Sequence, residues 1–453
     1  MTNSTQKQLI LVELNEVNLD MVRAYLGSAK LAGFRELLSQ DVRRTTSEPK
    51  YEELEPWIQW VSAHTGLTYR EHGVFRLGDI TLSTADQYYE ILERNGLSVG
   101  AISPMNAANR LKSPAYFVPD PWTLTESDGS FWSRSLYQAV RQAVNDNAQS
   151  RVSASSALVL VLALMRFAQA KNYALYLRLL AGAPKQKWKK ALILDLLLHD
   201  VHMRLWRKSR PSFSSVFLNA GAHIQHHYML NAKKSGVQAS AANPAWYVRP
   251  DEDPFADMLE VYDRIIADYL RLPTSVAVAT GLTQTAHLEP TFYWRLKDHA
   301  TFLNELGIRH KLVAPRMTRD FLVEFASDAE AAEAEAELSG IVTCDDGEPV
   351  FGEIENRGAS LFVTLTYGKD VTAGLPVRTR SGKVFDLQPH VAFVAIKNGE
   401  HDGRGFLVCK GEVARHAPET NTHVKAIFEM VLSYFGVESP AAVVDARAGE
   451  RAA

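Results

Sequence analysis

The sequence predicts an α/β protein: a central, mostly parallel sheet flanked by helices, carrying a helical insertion and a small α+β insertion. Three observations carry this expectation. LILVEL (9–14) is a short β-rich run that ends in polar residues and passes into a helical pattern, LDMVRAYL, the strand–turn–helix opening of such a sheet. LSVGAIS (97–103) and SVAVAT (275–280) repeat the buried strand with small polar residues at its end. The chain has 453 residues, 46% of them hydrophobic, enough for a large core and more than one structural unit.

The elements follow in order. The core is expected over 1–129, 213–315 and 386–440. Between its first two parts, 130–212 mixes apolar and basic residues (YALYLRLLAG, KWKKALILDLLLHDVHMRLWRK) with helical periodicity, and reads as a helical insertion or lid. Its Lys and Arg form either a solvated face or a cover for an anionic substrate or surface. Residues 316–385 read as the small α+β insertion. There, RDFLVEFAS is strand-like, DAEAAEAEAELSG is a helix closed by Gly340, and VFGEIENRGASLFVTLTY alternates like a hairpin. HVAFVAIKNG (390–399) and GFLVCKG (405–411) look like a late β pair, and 441–453 like a flexible tail. Functional residues of parallel sheets gather beyond the carboxyl ends of the strands. The turns after Leu14, after Thr280 and after a strand at 217–222 are therefore the places to search.

Charge and cysteine usage narrow the function. A net charge of −3 lacks the basic footprint of a nucleic-acid binder. Two cysteines, Cys344 and Cys409, make no disulfide framework and point to a reducing compartment. MTNSTQKQLILVEL has no signal-peptide layout. ALVLVLALM (157–165) and ALILDLLL (191–198) fall short of the ~20 residues that span a bilayer. The expectation is a cytoplasmic protein with peripheral membrane contact open to it; the sequence sets no oligomeric state. No P-loop, GxGxxG, CxxC pair or nucleophile elbow is present.

The histidines carry the chemistry. AGAHIQHHYML (220–230) holds His223, His226 and His227. In a helix His223 and His227 stand at i and i+4, and His223 and His226 at i and i+3; either pair can chelate a metal. The competing reading is ordinary helix surface. Asn15 and Glu16 end the first strand, where Glu16 offers a carboxylate and Asn15 a weaker oxygen donor; Asn18 is also a good N-cap for the helix that follows. Glu52, Glu53 and Glu55 precede Pro56, a standard helix start that also offers Glu55 as a metal ligand or general base. His401 lies in a Gly-rich turn with Asp402 beside it, able to ligate or to orient the imidazole. Thr283, Gln284 and His287 follow the 275–280 strand as candidates for substrate contact. Arg316 and Arg319 could pair with an anion. His64 and His72 read as structural.

Three separated pieces together resemble one family. QLILVELNEVNLDMV matches an opening strand that normally ends in a metal-binding Asp. WVSAHTGLTYREHGV (60–74) fits W-T-S-x-x-T-G-x-x-P-x-x-H-G through Trp60, Ser62, Thr65, Gly66, His72 and Gly73. The ordered series FLNAGAHIQHHY, SVAVATGLTQ, GEHDGRGFLV tracks an Asp-x-x-x-His segment, an Asp-His-Gly strand end and a late metal-binding His. The chain thus resembles the alkaline phosphatase superfamily, in particular its type I phosphodiesterase and nucleotide pyrophosphatase branch, over most of 8–125 and 214–440. The resemblance implies that fold and a phosphoester chemistry at one or two divalent ions.

The departures from the pattern are as informative. The first-strand Asp falls on Asn15, with Glu16 next to it. Ala222 replaces the Asp of Asp-x-x-x-His, while His226 keeps its His. Thr280 and Gly281 replace Asp-His, and His401 is retained. The nucleophilic Thr or Ser falls on Pro56 or, shifted by one, on Glu55. Three functions stay open. The first is a hydrolase or transferase acting on a phosphate or related ester of a small anionic substrate, dependent on Zn, Mn or Fe and using water or an unusual nucleophile. The second is a His/carboxylate Fe or Mn enzyme with non-hydrolytic chemistry. The third is a binding protein that keeps the fold without the reaction. The expected metal residues are His223, His226, His227, His401 and Glu16. Glu55 and Asp402 are the expected catalytic groups, and Gln284, Thr283 and Asn15 the expected substrate contacts.

Overall fold

The computed structural model describes residues 7–27, 30–145, 154–237, 242–315 and 319–439. Arg316 and the 441–453 tail lie outside them. The chain divides into two compact units.

The first unit comprises residues up to 142, 153–286 and 399 onward. Its centre is an eight-stranded sheet. In chain order the strands are β1 (Leu9–Leu14), β2 (Val42–Thr46), β3 (Val99–Ile102), β4 (Tyr116–Val118), β5 (Phe213–Leu218), β6 (Ser275–Ala279), then Arg404–Lys410 and Thr422–His423. Across the sheet, from one edge, Thr422–His423 is followed by β2, Arg404–Lys410, β6, β1, β5, β3 and β4. Of the eight, Arg404–Lys410 alone runs against its neighbours, pairing antiparallel with both β2 and β6. All six residues of β1 are buried, as a parallel strand covered on both faces requires. Its side chains alternate between two helix-covered layers: Ile10, Val12 and Leu14 join one apolar cluster, Leu9 and Leu11 the other.

The direction of the strands positions the site. The carboxyl ends of β1, β2, β5 and β6 open on one edge. Because Arg404–Lys410 runs the other way, its amino end, just after His401, opens there too. Residues far apart in sequence therefore meet at that edge.

Several expectations need correction. The strand placed at 217–222 is Phe213–Leu218, and a helix begins at Ala220. The late β pair does not form. Val391–Asp402 pairs with Thr283–Leu296, whereas Arg404–Lys410 enters the main sheet. Local alternation identified both strands, but pairing is decided by tertiary context. Gly340 closes its helix with φ −81°, so the left-handed cap is not used.

The second unit contains His287–Asn398, including the whole of 316–385. Leu312–Pro315, Asp320–Glu324, Ser360–Thr364 and Glu353–Asn356 form an antiparallel four-stranded sheet, with the last two as the expected hairpin. The helix Asp328–Ser339 buries Ala331, Ala334 and Leu338, leaves Glu333 exposed and keeps Glu330, Glu335 and Glu337 half-buried. Arg319 stacks over the Tyr293 ring here, and His287 meets Thr291 at 3.0 Å.

Candidate metal centre

Glu16 follows β1 immediately. Its φ of +60° is in the left-handed region, which side chains other than glycine enter at a cost of roughly 1–3 kcal/mol. The turn is over-determined. The Glu16 N–H donates to the Thr280 carbonyl at 3.0 Å, and the Glu16 carbonyl accepts from Gln225 Nε2 at 2.7 Å. The Gln225 Oε1 in turn accepts the Asn18 N–H at 3.1 Å, while Asn18 caps its own helix as the sequence suggests.

The carboxylate so placed meets two imidazoles. Glu16 Oε2 lies 3.1 Å from His226 Nε2 and 3.3 Å from His401 Nε2, and the two nitrogens lie 3.3 Å apart. Among the described residues this is the one group of three His, Cys, Asp or Glu side chains whose donor atoms converge in this way. The triangle has the size a metal needs. Tetrahedral ligands at zinc-like bond lengths are separated by roughly 3.3–3.4 Å. The rim is accessible, with His226 31% and His401 14% exposed, whereas Glu16 is fully enclosed. Burial by itself would raise the Glu16 carboxyl; its electrostatic interactions and hydrogen bonds with His226 and His401 outweigh it and hold the group well below the usual carboxylate range.

Surrounding groups fix Glu16 further. Gln284 Nε2 donates to Oε2 at 2.5 Å and Asn15 Nδ2 to Oε1 at 3.1 Å. Gln284 is itself buried, so it acts from behind the carboxylate. Gly399 lets the strand bearing His401 come close: a Cβ there would stand 2.1 Å from Gln284 Oε1 and 2.8 Å from the Gln225 carbonyl.

Glu55 stands beside the triangle. It is the residue before the helix Pro56–Thr65, and it makes no side-chain cap bond to that helix. Its Oε2 lies 3.8 Å from His401 Nδ1, the ring nitrogen turned away from Glu16. Burial raises the Glu55 carboxyl above its ordinary value; His401 opposes this and the Glu16 charge adds to it.

The remaining candidates lie elsewhere. His223 and His227 meet edge to face, with ring centroids 4.8 Å apart, and stay out of the triangle. Helix phase explains this: they share one face, and His226 points from another. Burial pushes the His223 imidazole down to about 4. Asn15 is buried and saturated: its Oδ1 accepts from Trp60 Nε1 at 2.8 Å, and its Nδ2 also donates to Asn219 Oδ1 at 2.8 Å. Thr283 is buried as well. Asp402 takes Arg404 as its partner, with Arg404 Nε 3.0 Å from both carboxylate oxygens. His64 meets Glu13 at 3.3 Å inside the core, and His72 packs against Ser62, both structural positions.

The other half of the resembled site is filled by protein. Thr280 Oγ1 accepts the Phe406 N–H at 2.9 Å, and Gly281, at φ +73°, lies against the Trp60 indole. With Asn15 bonded to that same indole, no donor set comparable to Glu16–His226–His401 forms there among the described residues.

Sequence reasoning missed Gln225 and Asp195. Asp195 accepts the backbone N–H of Ala220 at 2.7 Å, that of Asn219 at 3.3 Å and the Tyr262 hydroxyl at 2.6 Å, and so anchors the start of the helix carrying His226. The available signal was a single carboxylate inside the apolar run ALILDLLL.

No family model and no curated protein matches the chain. Solved structures do. The chain is similar to phosphonoacetate hydrolase from Sinorhizobium meliloti 1021 in complex with phosphonoformate, at 11% identity and TM-score 0.41, over 95% of this chain and 96% of that one. It is similar to the alkaline phosphatase of the Antarctic bacterium TAB5, at 8% identity and TM-score 0.40, over 95% and 98%. Murine ectonucleotide pyrophosphatase/phosphodiesterase 5 matches at 9% identity and TM-score 0.40, over 96% of both chains. At such identities the chemistry has to be read from the side chains.

Proposed function

We propose that Glu16, His226 and His401 hold one divalent cation, and that the protein is a metal-dependent hydrolase or transferase acting on a phosphate or related ester of a small anionic substrate. The observation that carries this is the triangle itself: two imidazole nitrogens and a buried carboxylate oxygen, 3.1–3.3 Å apart, at the carboxyl edge of a mostly parallel sheet. The sequence motifs that resemble phosphodiesterases supply the substrate class. When bound, a divalent cation polarises an ester oxygen and lowers the pKa of water in its reach.

The protein groups then divide the work. Gln284 and Asn15 hold Glu16 in one orientation, and Gln225 holds its backbone. No hydroxyl stands at the start of the Pro56–Thr65 helix, so water is the nucleophile. Glu55, with its raised carboxyl, takes the water proton as the oxygen–phosphorus bond forms. Solvent supplies the proton for the leaving oxygen as the ester bond breaks, and Glu55 then gives its proton back to solvent.

Glu55→Gln tests this directly. With p-nitrophenyl phosphate mono- and diesters and Zn, Mn or Fe supplied, the variant should keep its metal and lose roughly 100-fold or more of kcat. Absence of turnover by the native protein with every metal would overturn the hydrolytic reading. A second reading follows from the donor set, since two His and one carboxylate also suit Fe(II) oxidative chemistry. Stoichiometric iron with oxygen consumption, in place of ester hydrolysis, would favour it.

A further inference from the structure

From Asn147 to Leu194 the sequence holds eight Lys or Arg and no Asp or Glu, in a chain whose net charge is −3. The described part of this stretch contains two apolar helical segments, Ser155–Phe167 and Ala170–Gly182, bent by 118° at the break between them. Both segments bury one stripe and expose another. Ala163, Phe167, Leu175, Tyr176 and Leu179 are buried in the core cluster that includes the helix Lys189–Ser209. On the outer side stand Leu158, Val161, Leu162 and Met165, then Tyr173, Leu177 and Leu180, with Met165 75% and Leu177 68% exposed. Their spacing of three and four residues makes an outer apolar stripe on each helix. No helix among the described residues is long and apolar enough to cross a membrane.

The bend between the two helices is basic. An open cavity of about 430 Å³ lies there, lined by Lys171, Arg204 and Arg207 with Phe167 and Gln169, and no carboxylate lines it. Arg204 donates to the Arg166 carbonyl at 2.7 Å and Arg207 to Gln169 Oε1 at 3.3 Å, which holds both guanidinium groups at the bend. Lys171 is tied on its other side to Asp268.

We infer that this bent helix pair docks on an anionic lipid surface, with the outer aliphatic stripes entering the acyl boundary and Arg204, Arg207 and Lys171 meeting lipid phosphates. An apolar stripe without acidic residues, flanked by cations, is the composition that lies in a bilayer interface. A second copy fits poorly. A two-fold interface sets the same patch against itself, which would gather Arg166, Lys171, Arg204 and Arg207 of both copies into one interface. The inference does not depend on the metal centre.

Flotation of the full-length protein with vesicles tests it. The protein should bind phosphatidylcholine vesicles containing one third phosphatidylserine at least about ten-fold more tightly than pure phosphatidylcholine, and added salt should weaken the binding. M165E/L177E, at two exposed positions, should lose about ten-fold or more of that binding while its circular dichroism and metal content are unchanged. R204Q/R207Q should lose the preference for the anionic lipid. No binding by the native protein, equal binding to both vesicles, or unchanged binding by M165E/L177E would each overturn the inference. So would conversion of a dimer to a monomer by M165E/L177E without any lipid binding, which would make the face a self-interface.

Discussion

Glu16 and His72 are both buried titratable groups, and they show how one residue is held for different ends. Glu16 sits in a backbone conformation that favours glycine and still carries a carboxylate, because its backbone and side chain are bonded on every side. Its role was visible in sequence only as the acid next to a position where the resembled pattern has Asp. The positive φ, which sets the direction of its side chain, was not. His72 is structural: its Nδ1 accepts the Val74 N–H at 3.0 Å and its Nε2 faces Ser62 Oγ at 3.2 Å. Burial lowers its pKa from 6.5 to about 4, with Glu71 opposing and His423 assisting. Between those values the unfolded chain takes up a proton that the folded one refuses, so this residue's contribution to stability is present above pH 6.5 and is lost as pH falls toward 4. That interval corresponds to about 3 kcal/mol. Denaturant titrations of native protein and His72→Asn across this range should show a steeper acid loss in the native chain. Parallel pH profiles would contradict the assignment.

At the scale of elements, the helix Ala220–Tyr228 decides which histidine serves. The sequence showed three imidazoles on it and offered the i, i+4 pair as the natural chelator. Its phase is set elsewhere: Asp195 anchors its first turn, and Gln225, fully buried, ties it to the Glu16 turn. Under that phase His226 reaches the triangle, and His223 and His227 meet each other edge to face. Such long-range anchors leave no local motif, which is why Gln225 and Asp195 escaped the sequence. Asp195→Ala leaves the Ala220 N–H and the Tyr262 hydroxyl without their buried acceptor and should destabilise the fold by roughly 1–3 kcal/mol. It should also weaken metal binding, because His226 loses its support. A variant with native stability and native metal affinity would contradict this.

Across the whole molecule, the parallel core was legible because buried β runs followed by polar turns recur along the chain, at β1, β3 and β6. The reversed strand Arg404–Lys410 was not, since GFLVCKG alternates like any hairpin partner. Yet that reversal brings His401 to the edge where β1 leaves Glu16. The meeting of three distant segments would also tie a cation held there to global stability. A cation bound only by the folded state, at 100 times its Kd, adds about 2.7 kcal/mol. The melting temperature should therefore rise with added zinc or manganese in native protein and fall on chelation, with neither response in His226→Ala. A melting temperature indifferent to metal would count against a site assembled by folding.

Glu16, His226 and His401 are proposed to hold one cation. Elemental analysis of the purified protein tests this most directly, alongside the variants of all four histidines and of Glu16. The expected result is about one divalent ion per chain, lost in Glu16→Ala, His226→Ala and His401→Ala and retained in His223→Ala and His227→Ala. Two ions per chain, no ion in the native protein, or an ion that survives removal of His226 and His401, would contradict it.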